Sequence, residues 1–170
     1  LLKSAIRCDD PVVFLESKIL YGRRGEVPEG DYTVPLGEAK VVRHGEDVTI
    51  VAYSRMTEEA LKAAEALAKY DIAAEVIDLR TLAPMDTYTV AASVEKTGRV
   101  VVAEEGHRTG GIAAEVVARI VESCFDFLQA PPTRIAALDI PVPASPVLEQ
   151  AATPDWEDIG RAAAELVQKY

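Results

Sequence analysis

The residues best suited to chemistry stand together at positions 104 to 111, in the order Glu-Glu-Gly-His-Arg-Thr-Gly-Gly. A carboxylate beside a histidine can act as a general acid–base pair, which makes His107 with Glu104 and Glu105 one candidate. No nucleophile or substrate-polarising group accompanies them in the sequence. A solvated loop or a subunit contact explains these residues better, so we predict an interface or a loop edge here.

Three arginines are expected near this segment. Arg55 and Arg80 each follow a predicted strand, and Arg108 lies beside His107. The carboxyl ends of parallel strands share one edge of a sheet, so these side chains should meet there. An arginine pair at that edge could bind a phosphate or a partner's carboxylate. Pairing with acids of the chain itself is equally compatible with the sequence.

Thr109, Gly110 and Gly111 are expected to form the turn between a strand and a helix. Thr109 is a suitable N-cap, and the two glycines allow a tight backbone turn where a side chain would clash. Free backbone N–H groups at such a helix start can also bind an anion. The negative charge of Glu104 and Glu105 opposes that use, so the turn is predicted to be structural.

The sequence gives little support for binding of metal ions, nucleic acids or membranes. The histidines are His44 and His107, and Cys8 and Cys124 are remote from both and from each other. With 18 basic and 28 acidic residues the net charge is −10, which disfavours nucleic acids and anionic membranes. The distant cysteines form no disulfide framework, as is typical of a reducing compartment. No apolar run approaches the ~18 residues of a membrane span.

The elements that must position these residues follow from hydrophobic periodicity. From residue 36 onward the pattern predicts the order β-β-α-β-α-β-α-β-α. The first two extended runs, 36–43 and 48–53, are joined by a short turn and are expected to form an antiparallel hairpin. Right-handed crossovers then predict a three-layer αβα fold, with a five-stranded, mostly parallel sheet and one antiparallel edge strand.

Helix boundaries are predicted from capping residues. Thr57 and Thr153 are the expected N-caps of two helices. Residues from 112 to about 126 are expected to form a helix with a wide apolar face, to which Val121 and Phe125 belong. Residues 140–146 contain three prolines and are expected to be stiff irregular chain.

The amino-terminal segment has a different character. Residues 1–7 have the pattern of a helix end, and residues 12–15 that of a short buried strand. Residues 23–35 carry glycines and prolines among charges and are expected to be a linker. The predicted division of the chain is therefore 1–22, 23–35 and 36–170. Because the chain begins with leucine, it is interpreted as part of something longer.

Several longer motifs resemble the β subunit of the thiamine-diphosphate-dependent E1 component of 2-oxo acid dehydrogenase complexes. They are PVVFLE at 11–16, LYG at 20–22, EVIDLRTLAPMD at 75–86, SVEKTGR at 93–99, EEGHRTGG at 104–111, LQAP at 128–131, DIPVP at 139–143 and LE at 148–149. The resemblance extends over essentially the whole chain. It implies that 36–170 is a transketolase C-terminal-type domain and that 1–22 is a remnant of the pyrimidine-binding domain.

The resemblance implies an intact enzyme that decarboxylates a 2-oxo acid with thiamine diphosphate and Mg, and then reductively acylates the lipoyl group of E2. In the family the cofactor lies between the α subunit and the amino-terminal domain of the β subunit. No catalytic residue is therefore carried onto this chain, and the chain alone is not expected to bind the cofactor. Glu16 and Tyr21 are the nearest candidates for supporting the active site.

The resemblance also implies partners. In the family's α2β2 heterotetramer, the carboxy-terminal domain builds the β–β contact and offers a docking surface to the basic subunit-binding domain of E2. The residues that match this docking surface are Leu128, Gln129, Ala130, Pro131 and Tyr170. Family members often carry an acid where this chain has Gln129, so this contact departs from the pattern. The implied location is cytoplasmic, or the mitochondrial matrix in a eukaryote.

Two alternatives remain open at the level of sequence. The chain could be a stand-alone, flavodoxin-like module that binds a small anion at the edge near Arg55, Arg80 and His107. It could also belong to the same family but act on acetoin or in a 1-deoxyxylulose-type reaction. Pyruvate, branched-chain 2-oxo acids and acetoin are not distinguished, because the residues of the substrate pocket lie outside this segment.

Overall fold

The computed structural model describes residues 1–170, and its centre is a single five-stranded sheet. The strands are β1 (Lys40–Arg43), β2 (Val48–Ala52), β3 (Ala74–Asp78), β4 (Val100–His107) and β5 (Thr133–Ala137), arranged in the order β1-β3-β2-β4-β5. β1 runs antiparallel to β3, and every other neighbouring pair is parallel. The predicted sheet, with one antiparallel edge strand, is confirmed.

Helices cover both faces of this sheet. They are α1 (Leu2–Arg7), α2 (Arg55–Ala68), α3 (Thr87–Thr97), α4 (Ile112–Cys124), α5 (Pro146–Ala152) and α6 (Trp156–Lys169), with 3-10 turns at Lys18–Gly22 and Phe125–Phe127. α2 and α6 pack together on one face, and α3 and α4 on the other. None of these helices combines the length and the apolar character needed to cross a membrane.

Two hydrophobic cores result, one on each side of the sheet. Every residue of β2 is buried, as expected for a central strand covered on both faces. Ile50 belongs to the core beneath α2 and α6, whereas the adjacent Val51 belongs to the core beneath α3 and α4. Successive side chains of a strand point to opposite faces, so this one strand anchors both layers of helices.

The predicted hairpin between β1 and β2 does not form. β3 lies between these two strands and pairs with both, antiparallel to β1 and parallel to β2. The link at residues 44–47 passes the amino end of β3, where the N–H groups of Glu46 and Asp47 both donate to the carbonyl of Ala73. A Cβ on Gly45 would lie 2.3 Å from the backbone of Ala74, so only glycine permits this close crossing.

The predicted buried strand at residues 12–15 is also absent. These residues are exposed and irregular, with Val13 85% and Leu15 84% accessible. Neither α1 nor the following 3-10 turn buries any residue. An apolar run forms a strand only when a neighbouring strand satisfies its backbone, and no free sheet edge reaches this segment.

Three helix starts differ from the capping predictions. α2 begins two residues before Thr57, with Ser54 at its N-cap in the left-handed region at φ 54°. α4 begins after Gly111 rather than after Thr109. α6 is capped by Asp155, not Thr153, through a capping box in which Asp158 bonds back to the cap.

Two further predictions about apolar residues and prolines need correction. Val121 and Phe125 are 37% and 67% exposed, because the buried stripe of α4 consists of Ala113, Val116, Ile120 and Cys124. The proline-rich stretch ends at Pro146, which opens α5 rather than continuing irregular chain. Proline fits there because backbone N–H groups in the first turn of a helix have no partner within the helix, so the lack of an N–H group costs no hydrogen bond.

Candidate functional site

The carboxyl edge of the sheet brings together the loops that follow β2, β3 and β4. Ala52 of β2 lies level with Asp78 of β3 and with Ala103 of β4, so β2 and β3 end side by side while β4 continues to His107. Ser54 and Arg80 follow directly and adopt positive φ values of 54° and 57°. Non-glycine residues are strained in this conformation, and such strain concentrates at sites where the surrounding structure imposes it.

Glu104 is the centre of this edge. Its side chain is almost completely buried, and Tyr53 donates a hydrogen bond to its Oε2 over 3.1 Å. Its other oxygen, Oε1, is buried without a hydrogen-bond partner. Burial raises the pKa of Tyr53, and the negative charge of Glu104 raises it further, so the tyrosine remains a neutral donor at physiological pH.

Gly111 closes over this carboxylate. A Cβ at this position would lie 2.1 Å from Oε1 of Glu104 and 2.5 Å from the carbonyl oxygen of His107. The preceding Gly110 has a φ of 77°, in the left-handed region that favours glycine. The two glycines therefore allow the chain to turn directly over a buried acid.

Thr109 fastens the same turn to the loop after β5. Its N–H and its hydroxyl both donate to the carboxylate of Asp139, at 2.9 and 2.7 Å. These two hydrogen bonds are the main reason why the pKa of Asp139 is lowered. Thr109 therefore joins two loops instead of capping α4.

Among the arginines at this edge, Arg55 is engaged by an acid of the chain itself. Nε of Arg55 lies 2.6 Å from Oε1 of Glu105, and this arginine side chain is only 19% exposed. The backbone N–H of Arg80 donates to Asp78 at 3.0 Å. Burial raises the pKa of Asp78, and the charge of Arg80 offsets part of that effect. Of the two readings left open by the sequence, internal pairing describes Arg55.

His107 does not pair with either neighbouring glutamate. Its Nε2 lies 3.0 Å from the carbonyl oxygen of Ile140, while Glu104 and Glu105 contact Tyr53 and Arg55 instead. Alternation along the strand separates Glu104 from Glu105, and the ion pair with Arg55 engages Glu105. The acid–base pair considered from the sequence is not assembled.

The residues matched to a docking surface lie toward the opposite edge. The N–H of Trp156 donates to Glu59 at 3.3 Å, and Gly160 lies beside Ala63, so α6 runs in the same direction as α2. Both helices therefore lead away from the carboxyl edge, and Tyr170 ends at the amino edge of the sheet. Residues 128–131 lie at that edge as well, because they immediately precede β5.

Within this second group the side chains differ in accessibility. Leu128 is half-buried, Gln129 and Pro131 are exposed, and Tyr170 is 49% exposed. Ala130 is buried in the core beneath α2 and α6 and offers no side chain to a partner. The side chain of Gln129 lies over Gly98, the residue that ends α3 with a φ of 67°. The backbone N–H of Gln129 donates to the carbonyl of Gly98.

Glu16 and Tyr21 form an exposed pair on the amino-terminal segment. The hydroxyl of Tyr21 donates to Glu16 over 2.7 Å, and this hydrogen bond raises the pKa of the tyrosine. Arg23, two residues further, forms an ion pair with Glu58 in the first turn of α2. This contact ties the end of the segment to the side of the sheet where α2 begins.

The sequence analysis missed Tyr53 and Asp139, although both hold the carboxyl edge together. Tyr53 directly follows a fully buried strand, and its position at a strand end was the available signal. Asp139 lies 30 residues from its partner Thr109, and no local pattern links the two. Contacts of this kind depend on the register between β4 and β5.

Thiamine diphosphate with Mg does not fit the residues of this edge. No group of three or more His, Cys, Asp or Glu side chains could hold a metal ion. The unpartnered oxygen of Glu104 would repel a diphosphate, and the nearby guanidinium of Arg55 is already paired. We derive no catalytic step through the cofactor for these residues.

Comparisons with known proteins show which family the chain resembles. The profile of the family described as "Transketolase, C-terminal domain" matches residues 37–159. The chain is 50% identical over 167 residues to the pyruvate dehydrogenase E1 component subunit beta-1, mitochondrial, of Arabidopsis thaliana, covering 96% of this chain and 46% of that protein. It is 48% identical to the pyruvate dehydrogenase E1 component subunit beta of Bacillus subtilis, covering 99% and 52%.

A relative with a different substrate and a solved structure complete the comparison. The beta subunit of acetoin:2,6-dichlorophenolindophenol oxidoreductase of Cupriavidus necator is 47% identical, over 99% of this chain and 50% of that protein. A structure described as a split-gene transketolase, an inactive beta4 tetramer, superimposes with a TM-score of 0.72 at 31% identity, over 85% of this chain and 46% of that chain. The chain thus spans about half the length of the relatives it matches.

Proposed function

Because the chain belongs to the transketolase C-terminal domain family, we propose that it is the carboxy-terminal part of a β subunit of a 2-oxo acid dehydrogenase E1 component. The resemblance to these β subunits in the motifs is confirmed by the similarity to the plant and bacterial proteins. The stand-alone flavodoxin-like alternative is not favoured. The observation that carries the proposal is the high identity to E1 β subunits over nearly the whole chain.

In this proposal the whole enzyme decarboxylates a 2-oxo acid and transfers the acyl group to lipoyl-E2. Thiamine diphosphate with Mg, held between the α subunit and the preceding β domain, supplies the decarboxylation chemistry. The residues of this chain have a structural role in this proposal. The turn at Thr109, Gly110 and Gly111 packs over Glu104 and holds the loops of the carboxyl edge in a fixed conformation. Glu16 and Tyr21 are proposed to support the neighbouring domain.

The proposed substrate is pyruvate, because most of the similar proteins are named as pyruvate dehydrogenase subunits. Acetoin is the second candidate, because the acetoin oxidoreductase subunit is nearly as similar, at 47% identity. Assays of the complete α and β pair with each compound separate the two. The proposed location is the mitochondrial matrix in a eukaryotic cell, where several relatives are named mitochondrial, or the cytoplasm in a bacterium.

We further propose that the chain contributes to the β–β contact of an α2β2 heterotetramer and docks the basic subunit-binding domain of E2. Two features support the docking surface. Leu128, Gln129, Pro131 and Tyr170 offer accessible side chains toward one edge of the sheet. The net charge of −10 also favours a basic partner. Ala130 acts only through the backbone, because its side chain is buried.

The substitution Gln129→Glu tests this docking surface. It adds a carboxylate at an exposed position, and we expect the affinity for the isolated E2 subunit-binding domain to rise about threefold to tenfold at low salt. Titration calorimetry at two salt concentrations measures the gain, which should shrink as the salt concentration rises.

Gln150→Glu is the matched control. It makes the same chemical change at an exposed residue of α5, near the opposite edge of the sheet. An equal gain for both variants would indicate an effect of net charge alone and would contradict docking at 128–131. Failure of this test leaves the assignment to the E1 β subunit intact.

A further inference from the structure

A groove beside β5 carries an unusual concentration of arginines. It runs along the free edge of this strand, with the end of α5 and the start of α6 as its other wall, and has a volume of about 370 Å³. Arg108, Arg134 and Arg161 line it, with Asp158 as its acidic residue. We call it the arginine groove.

Two of these guanidinium groups have no carboxylate partner. Nη1 of Arg108 donates to the carbonyl of Arg134 at 3.3 Å, and Nη1 of Arg134 donates to the carbonyl of Arg108 at 3.1 Å. Neither side chain lies within ion-pair distance of an acid, whereas Arg161 pairs with Asp158. Asp139 is close enough to Arg108 for its charge to matter, but its oxygens already accept from Thr109.

Several arginines elsewhere in the chain are paired with acids. Arg7, Arg55 and Arg119 each lie within 3 Å of a carboxylate. In a protein with ten more acidic than basic residues, acids are available almost everywhere, yet the arginine groove contains three guanidinium groups and one carboxylate. Like charges held together are unfavourable unless something compensates them.

The reciprocal hydrogen bonds also fix the geometry. Each of the two unpaired arginines uses one nitrogen to grip the backbone of the other, which leaves the remaining N–H donors of each fork available. Arg134 is half-buried, so part of its desolvation occurs on folding rather than on binding. Forked donors that are held in place recognise oxyanions better than mobile lysines do.

We propose that the arginine groove binds a small molecule that carries two or more phosphate or carboxylate groups. Its volume lies within the roughly 300–1,000 Å³ that is typical of small-ligand sites. Gln150 and Thr153 add polar groups to the walls. A nucleic acid does not fit, because the groove is short and the chain around it is acidic. This proposal does not depend on the proposed E1 function.

Titration calorimetry of the 170-residue chain at constant ionic strength tests the proposal, with inorganic pyrophosphate and citrate as separate probes. We expect saturable binding of at least one probe to one site. Arg134→Gln should weaken that binding by about tenfold, the loss expected for one charge-assisted fork. Binding of one probe but not the other identifies phosphate or carboxylate as the preferred group.

Arg119→Gln is the matched control, because this half-buried arginine of α4 is paired with Glu115 away from the arginine groove. The affinity of the Arg119→Gln variant for the probe should stay within about twofold of that of the parent chain. Arg134 also holds the loop at Arg108, so circular dichroism must show that its variant folds. Arg161→Gln, at an exposed side chain, provides a second variant and should weaken binding severalfold. No saturable binding, equal loss in the control, or full affinity in Arg161→Gln would overturn the proposal.

Discussion

Among single residues, Glu104 has the largest influence on the carboxyl edge. A buried carboxylate with one oxygen unpartnered is costly, and the hydroxyl of Tyr53 is the side-chain donor that offsets part of this cost. Gly111 then covers the acid, because no side chain could stand there. The buried Glu104 therefore requires a hydrogen-bond donor such as Tyr53 just after β2 and a residue without a side chain, Gly111, just before α4.

The substitution Tyr53→Phe should lower the free energy of unfolding by about 1–3 kcal/mol, because it leaves both oxygens of a buried carboxylate without a side-chain donor. Urea denaturation at pH 7 measures the change. Tyr88→Phe removes a hydroxyl from a side chain that is 84% exposed and should be neutral. Equal effects of the two substitutions would contradict the role assigned to the Tyr53 hydroxyl.

Sequence reasoning identified the chemically rich segment at 104–111 but not the partners of its side chains. The partner of Glu105 is Arg55, fifty residues earlier, and that of Thr109 is Asp139, thirty residues later. Glu104, Glu105 and His107 each contact a different partner, namely Tyr53, Arg55 and the carbonyl of Ile140, so the apparent acid–base pair is not formed. The residue types therefore indicated where the chemistry lies, but the partner of each side chain could be identified only from the arrangement of the strands in the sheet.

At the scale of elements, periodicity predicted the strands and helices well from residue 36 onward, because each is amphipathic or fully buried. Local rules failed where tertiary contacts decided the outcome. The short link between β1 and β2 suggests a hairpin, yet the carbonyl of Ala73 captures that link and β3 occupies the space between. Threonines resemble N-caps in the sequence, but Ser54 and Asp155 cap the helices that were assigned to Thr57 and Thr153.

The contact between α3 and β3 gives a prediction at this scale. Lys96, in the last turn of α3, lies 2.5 Å from Oε2 of Glu75, whose side chain is only 4% exposed. Burial alone would raise the pKa of Glu75, but the hydrogen bond and charge of Lys96, with hydrogen bonds from Ser93 and the backbone of Gly45, outweigh this and lower the pKa below its ordinary value. The pair therefore stabilises the fold above that value, and its contribution is lost as the pH falls through the lowered pKa.

Lys96→Met should cost about 2–3 kcal/mol at pH 7, because it removes the lysine that pairs with the buried Glu75 and leaves only His44, 3.5 Å away, as a nearby basic group. Burial then acts without its compensation and raises the pKa of Glu75, so protonation relieves the penalty as the pH falls. The difference from the parent chain should shrink between pH 7 and pH 4, as measured by urea denaturation. Lys69→Met, at an exposed residue without an ion pair, should show no such trend; a constant difference for Lys96→Met would refute this account.

The whole molecule has two edges with separate proposed tasks and an amino-terminal segment that packs poorly. The carboxyl edge holds the loops around Glu104, and the amino edge holds the residues proposed to dock E2. The segment before residue 36 exposes large apolar side chains, among them Ile6, Val13 and Leu15. The resemblance of this segment to the end of a preceding domain remains a prediction, as do the docking residues and the roles of Glu16 and Tyr21.

Exposed apolar area of this kind leads us to expect self-association of the 170-residue chain at micromolar concentrations. Leu15→Asp should shift sedimentation towards the monomer, because it places a charge in the exposed apolar run. Leu148→Asp, at a leucine of α5 that is 59% exposed, should leave the distribution unchanged. A parent chain that sediments as a monomer at every concentration would rule the expectation out.

The position of β3 between β1 and β2 also sets an order of events on the ribosome. β1 emerges roughly 30 residues before β3, which corresponds to a few seconds at about 5–20 residues per second. During that interval β2 is the nearest strand available, so we expect the nascent chain to form a transient two-stranded hairpin there. The arrival of β3 must then separate two strands that translation had left side by side.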